Sequence, residues 1–304
     1  MNQPGQLSDK TTGEIRMSRA EELVAAFDKF TGKYKRDEME EALTLQEEIT
    51  PFLLAILDDL AANPEEYADG DHYAETYAVA LLAHFRETRA HLPIIRAFSI
   101  PDEQREYIWA DMLTETLPAL LCRTSGGDYT HVLEIVRNRD AYEFLRSSAM
   151  EALKLGIACG DFSREEGITL FASMFDENLA EPGDHFWGAL VCDLLDLYPA
   201  ELIAEIRELF AKGFVFEGDV GLEDVDRTMT KGFEAVMVEL EEKREWRLPE
   251  DVHDYLSWFA CFREKSSVYN NSPQTMRLKS AEKKKAKARN NRMHAKQSKR
   301  KNRR

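Results

Sequence analysis

Apolar side chains recur at three- and four-residue intervals through most of the chain, the spacing of one helix face. Leu23, Phe27 and Phe30 fall on one such face, just after Ser18-Arg19-Ala20-Glu21. That tetrapeptide has the capping-box spacing: the serine oxygen accepts from a first-turn amide and the glutamate reaches back. A second helix is predicted from about Asp37 through Leu45. Thr50-Pro51 then reads as an N-cap followed by a first-turn proline. The helix so opened has Phe52, Leu53, Ile56, Leu57 and Leu60 as its buried stripe, and Asn63-Pro64 ends it. Similar stripes follow: Tyr77, Leu81, Leu82 and Phe85; Leu113, Leu117, Leu120 and Leu121; and Tyr142, Leu145, Ala149, Leu153 and Ile157. Beyond them come Ile168, Phe171 and Phe175, then Phe186, Leu190, Leu194 and Leu197, then Leu202, Ile206, Leu209 and Phe210. One helix is expected over residues 222–246 and a last one over 249–262.

Gly-Asp recurs between these stripes, at Gly70-Asp71, Gly127-Asp128, Gly160-Asp161, Gly183-Asp184 and Gly218-Asp219. Glycine takes the left-handed conformation that ends one helix, and aspartate caps the next. The spacings are uneven, but the 33-residue step from Gly127 to Gly160 is the size of one helix–turn–helix unit. No run of period-two alternation separates the segments. Short amphipathic helices joined by tight turns predict an all-α fold, a HEAT-like superhelix of stacked helix pairs. A compact helical bundle is the alternative.

Composition sharpens the picture at the carboxyl end. The 304 residues carry a net charge of −16, yet from Arg277 onward there are 14 Lys and Arg against Glu282 alone. The remainder therefore holds 26 basic and 55 acidic residues, a net −29. Residues 263–304 have too little apolar surface to offset the entropy of ordering, so a disordered basic tail is expected there. This gives three parts: a disordered amino terminus at 1–15, a helical-repeat domain at 16–262, and the linker and tail. No signal segment or membrane-length apolar run is present, so a cytoplasmic protein is expected. The four cysteines, Cys122, Cys159, Cys192 and Cys261, form no CxxC pair and read as buried reduced thiols.

Several segments in order carry a family likeness: Glu47-Glu48-Ile49-Thr50-Pro51, Ala80-Leu81-Leu82-Ala83-His84-Phe85-Arg86-Glu87, and Leu113-Thr114-Glu115-Thr116-Leu117-Pro118. Arg146-Ser147-Ser148-Ala149-Met150-Glu151-Ala152-Leu153, Leu197-Tyr198-Pro199 and Trp258-Phe259-Ala260-Cys261-Phe262 continue it. Over residues 37–262 the chain resembles the bacterial family catalogued as domain of unknown function 1186. The resemblance implies a HEAT-like helical fold and brings no activity. Members of that family often end in a SecA-type zinc motif rich in cysteine. This tail has no cysteine, so no zinc site is carried over.

Candidate chemistry is sparse. There is no GxSxG, GxGxxG or P-loop, and no enzymatic activity or cofactor is expected. His84, Glu87 and His91 would share an arc of one helix and could hold a metal, though a solvated face accounts for them more simply. His72 and His185 follow matching turns and read as first-turn side chains with local hydrogen bonds. Asp58-Asp59 and Glu65-Glu66 point apart, as adjacent helix residues do. The tail is the clearest candidate: Lys283, Lys284, Lys285, Lys287, Arg289, Arg292, Lys296, Lys299, Arg300, Lys301, Arg303 and Arg304 could neutralise phosphates, with salt-dependent affinity. No aromatic follows Tyr269, which argues against base stacking. The expected function is a scaffold or adaptor. Its body binds a protein or peptide, its tail binds RNA, a ribosomal surface or another polyanion, and it does not engage a membrane. The alternatives are a body-only interaction module, or a metal-dependent enzyme at His84 and His91.

Overall fold

A computed structural model describes residues 17–68, 72–176 and 178–257, together with Phe259 and Phe262. The expected amino-terminal segment 1–15, the turn at Gly70-Asp71 and the tail at 263–304 lie outside the described residues. The chain divides into a unit Met1–Trp258 and a unit Phe259–Arg304. All the elements below belong to the first, and among the described residues no strand occurs.

The chain enters through α1 (Arg19–Asp28), α2 (Arg36–Thr44), α3 (Gln46–Ala62) and the single turn α4 (Pro64–Tyr67). The middle comprises α5 (Ala74–His84), α6 (His91–Phe98), α7 (Asp102–Ile108), α8 (Met112–Glu115), α9 (Leu117–Thr124) and α10 (Thr130–Arg137). Then come α11 (Glu143–Cys159), α12 (Arg164–Ala172), α13 (His185–Leu195), α14 (Ile203–Ala211), α15 (Leu222–Lys231) and α16 (Phe233–Arg247).

Helices α3, α5, α9, α11 and α13 form a row in which each packs on the next. Every residue of α5 from Ala74 to Ala83 is buried, as expected of a helix covered on all sides. Helices α6 and α10 return beside this row, α6 against α3 and α9, and α10 against α11. The last residues of α9, α11 and α13 are Thr124, Cys159 and Leu195, 35 and 36 positions apart. Polar ties follow a similar interval. Tyr129 donates to Asp161, 32 residues on, at 2.7 Å. His91 Nδ1 meets Thr124 Oγ1, 33 residues on, at 3.1 Å. Arg146 donates to the Leu179 carbonyl and Arg164 to the Leu197 carbonyl, each again 33 residues on. Each of these bonds satisfies a polar group that burial or a helix end would otherwise strand.

Charges are buried in the row as well. The Lys154 ammonium of α11 lies 2.7 Å from Asp193 and 2.9 Å from Asp196, at the end of α13. Burial works against the charged lysine, but the two carboxylates outweigh it and hold its pKa above the ordinary value. Burial likewise pushes Asp193 up to about 6, against the pull of Lys154. Both groups are charged at neutral pH.

The local signals were followed in part. Ser18 and Glu21 form the expected capping box. Gly160 ends α11 at φ 82°, and the Asp161 amide returns to the Gly156 carbonyl. Asp184 caps α13, but Asp161 instead accepts from the Tyr129 hydroxyl. The Thr50 N-cap is not formed. Helix α3 begins at Gln46, and Thr50 donates to the Gln46 carbonyl at 2.6 Å from within the helix. Burial of Ile49 and Thr50 draws the helix back by a turn, and Pro51 removes only the bond to the Glu47 carbonyl. The helix expected over 222–246 is two helices, because Gly232 at φ 89° turns the chain between α15 and α16. Between 249 and 257 the chain forms a 3₁₀ turn, Val252–Tyr255, rather than an α-helix.

Candidate functional site

Helix α16 buries only Val236 and Leu240 along its 15 residues and leaves its far end in solvent. Leu248, Val252, Tyr255 and Leu256, just beyond it, are all buried, so the return segment is anchored against the body. The anchor is reinforced by Arg123 of α9, which donates to the Leu248 carbonyl at 2.9 Å and to Glu250 at 2.9 Å. That bond holds the Glu250 carboxyl below its ordinary range. Across from this segment stand α8 and the first turns of α9. The space between is a groove of about 1000 Å³.

Its chemistry is lopsided. Asp111, Glu115, Glu245, Glu250, Asp251 and Asp254 line it, and Arg247 is the one basic residue among the lining groups. Arg247 is itself occupied. It pairs with Glu115 at 3.2 Å and with Glu151 at 2.8 Å, and it donates to the Glu115 carbonyl. Among the described residues no cation is paired with Asp111, Glu245 or Asp254. Trp246 stands in the same groove with 68% of its surface exposed, the most exposed large apolar side chain among the described residues. The Arg247 guanidinium lies 4.8 Å from its ring centroid. An aromatic plate beside the unpaired carboxylates of Asp111, Glu245 and Asp254 is suited to cationic side chains, which would gain both ion pairs and cation–π contact.

The sites expected from sequence fare differently. His84, Glu87 and His91 do not share a helix. Helix α5 stops at His84, and Arg86 adopts φ 52°, with the Glu87 amide returning to the Leu82 carbonyl. Glu87 instead accepts from the Arg89 amide and pairs with the Arg89 guanidinium at 2.7 Å. His91 opens α6 and is buried. The Thr124 hydroxyl spends its proton on the Leu120 carbonyl, so His91 Nδ1 is the donor to Thr124. Burial, with His131 nearby, lowers His91 to about 4, so it is neutral. Among the described residues no group of three or more His, Cys, Asp and Glu could hold a metal ion.

His72 and His185 have acidic partners in distant segments, Asp28 at 3.1 Å and Asp219 at 3.4 Å, and His72 also lies against the ring of Tyr67. Asp58 pairs with Arg96, and Asp59 accepts from Asn63 and Tyr67. The basic positions from Lys283 to Arg304 lie outside the described residues. The groove itself was not foreseen, because its walls are about 130 residues apart in sequence: Glu115 meets Arg247, and Arg123 meets Glu250. The one local signal was Trp246 next to Glu245 in a polar helix that needed no tryptophan for its core.

No helix of the described residues is long and apolar enough to cross a membrane. No solved structure matches the chain. An uncharacterized protein of Chlamydia trachomatis is 31% identical over 196 residues, covering 64% of this chain and 78% of its own length. An uncharacterized protein of Chlamydia muridarum is 30% identical over the same extent. The family model described as protein of unknown function DUF1186 matches residues 18–263, from the capping serine of α1 to beyond the 3₁₀ turn. With its row of packed helices and its family-wide extent of match, the chain belongs to the DUF1186 family.

Proposed function

We propose that this protein is a non-enzymatic adaptor of the cytoplasm, a HEAT-like superhelix whose body captures a basic polypeptide segment. The recurring 35- and 36-residue interval of helix ends supports the repeat form. The single observation that carries the binding role is the exposed Trp246 set among six carboxylates. Lysine or arginine side chains of the partner would pair with Asp111, Glu245 and Asp254, and one would lie on the indole. The tail, from Lys283 to Arg304, would grip a polyanion such as RNA or a ribosomal surface.

Titration of the full chain with fluorescent peptides tests the body. A Lys/Arg-rich peptide is expected to bind, and a same-length acidic peptide is not. Trp246→Ala should weaken binding by about tenfold or more, as loss of an aromatic hot spot does. Asp111→Lys with Asp254→Lys should weaken it further, and added salt should weaken the wild type. Equal binding of both peptides, or no effect of Trp246→Ala, would reject the groove. The tail is tested separately: deleting residues 277–304 should abolish retention of RNA at low salt, and undiminished retention would remove the tail from the function.

A further inference from the structure

Helices α9 and α11 lie side by side, and both end at glycine turns on one edge of the row. Cys122 sits in the last turn of α9, and Cys159 is the last residue of α11. Their sulfurs are 3.8 Å apart. The two thiols differ in surroundings: Cys122 is buried, whereas Cys159 is exposed and opens on a cleft of about 510 Å³. Arg86, Arg123 and Arg244 line that cleft together with Asp161, Glu241 and Glu250, with Glu250 paired to Arg123 and Glu241 to Arg244. Cys159 therefore has access to solvent in a cleft of mixed charge, where Arg123 and Arg244 favour its thiolate and Asp161 opposes it.

The hydrogen-bond pattern gives the two sulfurs different roles. Tyr129 lies between Cys122, at 3.5 Å, and Asp161, at 2.7 Å. Its single proton goes to the charged acceptor, so the Cys122 thiol keeps its own proton and can share it with Cys159. That bond, then burial, raises the Cys122 thiol far above its ordinary value. The same bond lowers Cys159 to about 7, with help from Arg123 and Arg244 against burial and Asp161. Cys192 on α13 supplies the contrast. Its side chain is exposed, as is that of Cys159 and contrary to the buried thiols expected, yet desolvation of the sulfur, then Asp193 and Asp196, pushes the thiol up to about 11.

We propose that Cys122 and Cys159 are a peroxide-reactive pair, in which Cys159 is oxidised first and Cys122 then closes an intramolecular disulfide. In the first step the Cys159 thiolate attacks the terminal oxygen of a hydroperoxide. An S–O bond forms, the O–O bond breaks, and the leaving oxygen takes a proton from water to depart as an alcohol, or as water from hydrogen peroxide. In the second step the Cys122 sulfur attacks the sulfenic sulfur. The S–S bond forms, the S–O bond breaks, and hydroxide leaves as water with the Cys122 proton. Two thiols are oxidised by two electrons, and one hydroperoxide is reduced. The sulfurs need to close from 3.8 Å to about 2.05 Å. Cys159 is free to make that shift, since it ends its helix and precedes Gly160 in the left-handed region. A disulfide there would tie the ends of α9 and α11 across the cleft and withdraw the thiolate from it. A dithiol reductant would reverse it.

The test treats the reduced full chain with hydrogen peroxide, blocks remaining thiols and maps peptides by mass without reduction. The expected product links the Cys122 and Cys159 peptides within one chain, and dithiothreitol releases them. Cys122→Ser should stop at a sulfenic acid on Cys159 that dimedone traps, and Cys159→Ser should give neither product. The rate of linkage should rise through about pH 7 as Cys159 ionises. Iodoacetamide at pH 7 should label Cys159 at least about tenfold faster than Cys192, since the thiolate fraction outweighs the lower intrinsic nucleophilicity. A disulfide through Cys192 or Cys261, a link between two chains, or equal labelling of Cys159 and Cys192 overturns the proposal.

Discussion

Replacing Lys154 by methionine is expected to lower the stability of the body by about 3–5 kcal/mol, the usual consequence of removing one member of a buried ion cluster. Lys154 is almost wholly enclosed between α11 and α13. Methionine fills most of the lost volume, so the loss is electrostatic rather than a cavity effect. Asp196 retains a second partner in Lys243 at the surface. Asp193 is 6% exposed, and among the described residues its one cationic partner is Lys154. The variant must either bury an uncompensated carboxylate or protonate it. Urea denaturation at pH 7 reads the loss. Lowering the pH toward 5 should shrink it, because Asp193 then accepts its proton in both proteins. A variant within about 1 kcal/mol of wild type at pH 7 would show the cluster to be dispensable.

A second large effect is expected at Glu75, with the opposite sign. This residue lies in the first turn of α5, 4% exposed, and its Oε2 has no hydrogen-bond partner. Burial, opposed by a hydrogen bond from its own backbone amide and reinforced by the charge of Asp28, pushes its carboxyl up to about 7, with His72 and Thr76 also pulling against the rise. A carboxyl whose native value exceeds its unfolded one holds its proton more tightly when folded. Its contribution is therefore complete below about 4.5, declines as pH climbs toward 7, and stays lost above. Glu75→Gln keeps the shape and removes the titration. The variant should match wild type near pH 4.5 and exceed it by about 1–3 kcal/mol at pH 8. Denaturation midpoints at several pH values settle it, and parallel profiles for the two proteins would contradict the buried charge.

What the sequence disclosed, and what it withheld, follows from the range of the forces involved. The capping box at Ser18 and Glu21, the left-handed end at Gly160 and the cap at Asp184 each depend on four or five consecutive residues, and all three formed as read. Thr50-Pro51 was an equally good local signal, but packing of Ile49 and Leu53 overrode it. Arg86 ended α5 without a glycine to announce it, which separated His84 from His91. The stripes of α11 and α13 were legible because burial of one face imposes their period, whereas α5 is buried on every face and the stripe from Leu113 to Leu121 is split between α8 and α9. The short helices α6, α7 and α10 were passed over. The groove around Trp246 and the approach of Cys122 to Cys159 are pairings between distant segments, on which periodicity is silent. Only one hint existed for the thiols: each precedes a Gly-Asp turn by a few residues, which places both on the same edge once the helices are stacked.

The ties from Tyr129 to Asp161, Arg146 to Leu179 and Arg164 to Leu197 have a consequence for how such a chain can change length. These ties join segments some 32 or 33 residues apart, while His253 closes a much longer loop, to Tyr34 at 2.7 Å and to Glu40 at 3.0 Å. Gain or loss of about 35 residues between these segments would therefore have to leave the long loop closed by His253 intact. An insertion of one or two residues inside one of these helices would rotate every later side chain of that helix by about 100° per residue and send its arginine away from the carbonyl it meets.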